Sequence, residues 1–136
     1  MAEPPSSRLV DQRVRNRVID AVDVLAGGPD GVRAASTPEY INMFFDVVDD
    51  DMPGDWRDLS TYTTAEVTEL EQVLSLMLQA VAAIHKICRD DEFIASGWPE
   101  RIQPVAARAL DTMLRRGRFR EDIEEDEPSL GSRPNR

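Results

Sequence analysis

The carboxylates are the first residues whose type and spacing could do chemistry. Glu66 and Glu69 stand three apart in a stretch of helical periodicity, so both side chains could face one direction, and Asp46 and Asp49 repeat the spacing upstream. Paired carboxylates on facing helices are how helical bundles hold Mg²⁺ for phosphate chemistry. The same placement also arises with no ligand at all, because acids in a first helical turn favour the positive end of the helix dipole.

The carboxylate spacing resembles, in part, the first acidic motif of the all-α nucleotide pyrophosphohydrolases. That resemblance implies Mg²⁺-dependent hydrolysis of a nucleotide, but it requires a second acidic motif, and Asp90, Asp91 and Glu92 lie beyond the expected helix end. His85, the only histidine, and Cys88, the only cysteine, are three residues apart. A zinc site needs further Cys or His ligands, and Cys–His nucleophilic catalysis needs an exposed pair in contact. Cys88 instead falls on an apolar seam, where a small buried thiol is ordinary. Gly27-Gly28-Pro29-Asp30-Gly31 lacks the preceding strand and following Lys-Ser/Thr of a phosphate loop and reads as a helix stop. No cofactor is expected, and Glu66, Glu69, Asp46 and Asp49 are the candidate metal ligands.

The other candidate surface is the loop from Asp49 to Asp58. It gathers Asp49, Asp50, Asp51, Asp55 and Asp58 around Trp56. An aromatic anchor ringed by acids selects a basic partner if Trp56 is exposed; if Trp56 folds onto the core, the acids alone remain. Arg8, Arg13, Arg15 and Arg17 make the first helix locally basic, and they are expected to pair with acids of the same chain or its tail.

These residues must be held by helices. Val10, Val14, Val18, Val22 and Leu25 follow a helical spacing that predicts a first helix over about 8–26, ended by Gly27-Gly28-Pro29. Thr37-Pro38-Glu39 opens a second, over about 38–49, with apolar residues on more than one side. Thr63 to Glu66 fits a capping box. Beyond it, Val67, Leu70, Leu74, Met77, Val81, Ile84 and Cys88 form one seam and Val73, Leu76, Ala80, Ala83 and Ile87 a second. Two seams predict a central helix at about 64–89 with neighbours on two sides. A short turn through Phe93 and Ile94 and a last helix after Gly97-Trp98-Pro99, with Pro104 inside it and Gly117 closing it, complete the domain. The fold class is therefore all-α: a four- to five-helix bundle or an orthogonal helical array. Residues 1–7 are expected to be a flexible N-terminus, 8–117 a single helical domain, and 118–136, with six acids between Glu121 and Glu127, an acidic tail unable to fold alone.

The chain has 136 residues and a formal net charge of −10. Such a charge repels phosphate backbones and anionic lipid, so nucleic acid and membrane are poor partners and a basic protein a better one. Neither a signal peptide nor a membrane-length apolar run is seen, and arginine outnumbers lysine fifteen to one as in GC-rich bacterial genomes; a cytoplasmic bacterial protein is expected. These observations favour a non-catalytic protein–protein interaction module, such as a toxin-neutralising or regulatory partner. A Mg²⁺-dependent phosphate or nucleotide hydrolase and a homodimeric structural protein are the alternatives.

Overall fold

The computed structural model describes residues 4–48, 56–84 and 88–131. Among them are six α-helices: α1 (Ser7–Ala26), α2 (Pro29–Ala35), α3 (Thr37–Phe45), α4 (Thr64–Ala83), α5 (Asp90–Ala95) and α6 (Trp98–Arg116), with a 3₁₀ turn at Trp56–Asp58. The helices pack on one another as a bundle. The single core runs from Val18, Ile19, Val22 and Leu25 of α1, through Tyr40 and Phe44 of α3 and Leu70, Val73 and Met77 of α4, to Ile102, Ala106, Ala109 and Met113 of α6.

Local chemistry sets most of the helix starts. Ser6 caps α1 by accepting from the Leu9 amide. Thr63 and Glu66 form both bonds of the capping box on α4. Gly97, at φ 87°, turns the chain into α6, whose first turn contains Pro99. α6 then runs unbroken through Pro104, which sits on the exposed side. The cap of α3 is Ser36 rather than Thr37: Ser36 takes a left-handed φ of 81°, costing about 1 kcal/mol for a non-glycine residue. Its hydroxyl accepts from the Glu39 amide. Thr37 is buried, and both its amide and its hydroxyl donate to the Asp90 carboxylate. That bond and an edge-on contact of Tyr40 with Phe93, with 5.4 Å between centroids, join α3 to α5.

The helix given the central place by its two seams is not the hub. α6 lies against α1, α4, α5 and α2, whereas α4 packs mainly on α6. Only one stripe of α4 is buried, comprising Glu66, Leu70, Val73, Leu74, Met77 and Ala80. Val81 is 42% exposed, Leu78 is 51% exposed, and α4 ends at Ala83 rather than 89. α4 has more apolar residues than its neighbours can cover, and a seam seen in sequence does not reveal whether anything lies against it.

The face of α1 also differs from the expected line of valines. Val10 is 41% exposed, while Gln12, Arg15 and Asn16 are buried. α2 has no counterpart among the expected elements. Pro29 at its first turn, Asp30 behind it and buried Val32 are its signals. Gly31 lets α2 lie directly on α1, since a Cβ there would overlap the Val24 carbonyl oxygen.

Two outcomes follow from this packing. Gly31→Ala should destabilise by about 1–3 kcal/mol in urea unfolding, although alanine gains about 1 kcal/mol in helix propensity, because the obstacle is backbone. The bonds from Thr37 hold the Asp90 carboxyl below its ordinary range. A depressed folded-state pKa contributes stability above the unfolded value and loses it as pH falls through the folded one. Thermal stability should therefore fall below about pH 4, and Asp90→Asn should be less stable at neutral pH with a flatter acid limb.

Candidate functional site

The polar centre of the molecule is a buried carboxylate held by three helices. Glu66 is fully buried at the N-terminus of α4. Its Oε1 accepts from the Thr63 amide at 3.0 Å and from Arg116 at 2.7 Å. Its Oε2 accepts from Arg15 Nη2 at 2.7 Å. Arg15, also fully buried, donates further to the carbonyls of Gly117 and Met113, which closes the end of α6. A carboxylate and guanidinium taken out of water are tolerated only with this degree of pairing. Phe119 lies against the cluster, its ring 5.1, 5.4 and 5.9 Å from the guanidinium carbons of Arg8, Arg15 and Arg116.

The segment after α6, expected to be an unstructured acidic tail, lies on α1 from Phe119 to Asp126 and then returns to Arg118, with which Leu130 makes an isolated bridge. Arg116 of α6 pairs with Glu127, and Arg120 bonds Asp122 and Glu125 within the segment. Asn16 accepts from the Phe119 amide and donates to the Phe119 carbonyl at 3.1 and 2.8 Å. Gln12 donates to the carbonyls of Arg120 and Ile123 and accepts from the Glu125 amide. Arg8 donates to the carbonyls of Glu125 and Asp126, and Arg13 to that of Glu121. Apart from Phe119, which is fully buried, the segment is held mostly by its main chain, with side-chain bonds from Glu121 to Asn16, Glu127 to Arg116 and Arg118 to Asp20, rather than by an apolar face, so its acidic composition does not prevent ordering. The arginines of α1 do pair with the tail, but at its carbonyls: Arg8 and Arg13 leave its carboxylates largely unneutralised.

The expected metal ligands are not brought together. Glu66 is committed to the two arginines and its own cap. Glu69 lines an open groove of about 250 Å³ with Arg108, Asp111, Thr112 and Arg115. Asp46 lines a different one, of about 260 Å³, with Arg17, Asp20, Met43 and Val47. Asp49 lies outside the described residues. Among the described residues, no three Asp, Glu, His or Cys side chains are placed to share a cation.

His85 also lies outside the described residues. Cys88 stands beyond the end of α4, half-buried, with its thiol directed to the Arg89 carbonyl. Burial first, and then the charges of Glu92, Asp91 and Asp90, push that thiol up, away from the thiolate a nucleophile needs.

Of the acidic loop, Asp49, Asp50, Asp51 and Asp55 fall outside the described residues. Trp56 is not an exposed anchor: it is 5% exposed, packs edge-on against Tyr62 at 6.2 Å, and has the Arg57 guanidinium 4.8 Å above it. Asp58 faces solvent. A third open groove, of about 430 Å³, lies beside the C-terminal segment and is lined by Arg8, Ser60, Glu124, Glu125 and Asp126.

Sequence reasoning missed the central roles of Arg15, Arg116 and Phe119. Arg15 carried a signal: it falls on the ladder Gln12, Arg15, Ile19, Val22, a charge on a helix's inward face. A lone phenylalanine just before an acidic run was the other. No protein-family model, no curated protein and no solved structure matches the chain.

Glu66→Gln should cost about 3–5 kcal/mol in urea unfolding, since it leaves buried arginine charge without its counterion. Glu69→Gln, in the open groove, should stay within about 0.5 kcal/mol of the parent.

Proposed function

We propose that the chain is a non-catalytic binding module whose partner is a basic protein, engaged along the edge formed by residues 121–127. The observation that carries this reading is the direction of the hydrogen bonds there. α1 grips the segment largely by its carbonyls, so an ordered row of carboxylates is presented outward. Glu124 and Asp126 are exposed, and with Glu125 they border the 430 Å³ groove. Ile123, 48% exposed, stands in the middle of the row. A backbone already held in place loses little freedom on binding, and an apolar residue among the carboxylates adds contact area to the charge attraction.

The overall charge of the chain supports the same partner chemistry. It carries 26 acidic against 16 basic residues, and two of the basic ones are turned inward onto Glu66. Long-range attraction of a basic protein speeds encounter and is screened by salt. Among the described residues no helix is long and apolar enough to cross a membrane.

Glu124→Lys/Asp126→Lys should fold as the parent does and lose the partner. In affinity capture from the source lysate, the parent should recover a basic protein at low salt and release it at high salt, and the double variant should not recover it. Recovery of the same proteins by both forms would remove this reading.

A further inference from the structure

We propose that the surface of α1 beneath residues 119–126 is a recognition site for a looped acidic peptide with one aromatic anchor, filled in cis by the chain's own C-terminal segment and able to accept a segment of the same chemistry in trans. This goes beyond binding of a basic protein, since the ligand has the opposite charge and the surface is a different one.

Four observations carry it. First, the contacts are those of peptide recognition. Asn16 pairs with both main-chain groups of Phe119, and Gln12 reaches three residues of the segment through carbonyls and an amide. Such bonds read the main chain whatever its side chains, here along a segment that the Arg118–Leu130 bridge closes into a loop. Second, specificity is concentrated in one residue: Phe119 is fully buried against the guanidinium groups of Arg8, Arg15 and Arg116.

Third, the charges are opposite in sign, an attraction through the field rather than through contact, since Arg8 and Arg13 meet the segment at carbonyl oxygens. Between Ser7 and Arg17, α1 has four arginines and one aspartate, whereas 118–131 has six carboxylates and two arginines. Fourth, the segment is joined to the bundle at one residue that can act as a hinge, Gly117, at φ 92° and ψ −165°. The bonds among Arg15, Glu66 and Arg116 do not use residues 118–131, so Glu66 keeps both arginines when the segment leaves and only Arg116 gives up a further partner, Glu127.

The test uses the full chain and a labelled peptide of residues 118–131. Phe119→Ala in the chain removes the cis anchor and should bind the parental peptide, read by fluorescence anisotropy. The parent chain should bind it about thirtyfold more weakly, because its own segment competes, and a peptide carrying the same Phe→Ala change should bind the variant about thirtyfold more weakly too. A Phe119→Ala chain with native circular dichroism that ignores the peptide overturns the proposal, as does equal binding of the two peptides.

Hydrogen exchange on the unaltered protein tests the same opening should that variant not fold. The amides of Phe119 and Glu125, bonded to Asn16 and Gln12, should exchange together through an opening that leaves α6 protected. Exchange of those amides only on global unfolding overturns the site.

Discussion

A single carboxylate in the dry centre of the molecule sets the terms for everything around it. Glu66 begins as a local device, the returning half of a capping box, which needs only Thr63 three residues earlier. Burial changes its demands. A carboxylate without water must have cations, and these come from elements remote in sequence, Arg15 on α1 and Arg116 at the end of α6. One oxygen each for the two arginines fixes where three helices meet. Apolar packing could tolerate a range of helix slides; two bonds of 2.7 Å to one carboxylate tolerate few.

The outward charge pattern descends from the same constraint. Arginines in the first helix would be expected to neutralise acids. Instead, Arg15 is drawn into the core, and Arg8 and Arg13 are used on carbonyl oxygens. The carboxylates of the C-terminal segment therefore largely face water. Those that are engaged are held partly within the segment, where Arg120 bonds Asp122 and the Arg120 amide and the Ser129 hydroxyl hold Glu125 below its ordinary range, and partly from the bundle, where Asn16 donates to Glu121 and Arg116 pairs with Glu127. The segment is thus an ordered acidic edge, built without a strand partner or an apolar face of its own.

What could be read in the sequence follows from the range of the interactions involved. The starts at Thr63 and Gly97 and the stop at Gly117 were legible because capping is settled within four residues. The all-helical class followed from periodicity. The rank of the helices did not: α4 displays two apolar seams, yet Val81 stays exposed and α6 is the hub, because rank depends on what lies alongside in space.

α1 misled in the opposite sense. Its valines suggested one face, while its buried face near the N-terminus is Gln12, Arg15 and Asn16, whose partners lie at the other end of the chain. Glu66 has the spacing of a metal ligand and is occupied by arginines instead. A carboxylate's partner is a fact of tertiary structure, and spacing along one helix carries no information about it.

The pairing of α1 with residues 117–125 joins groups more than 100 positions apart. During synthesis α1 emerges about a hundred residues ahead of these partners, with amide and guanidinium groups on a face that has yet to meet them. Closure of so long a loop is entropically late, and a topology rich in distant contacts condenses slowly. The nascent chain must therefore wait, hydrated along this part of α1, until residues 117–125 have been made, and arrest of the ribosome anywhere before residue 117 would leave Gln12 and Asn16 to water.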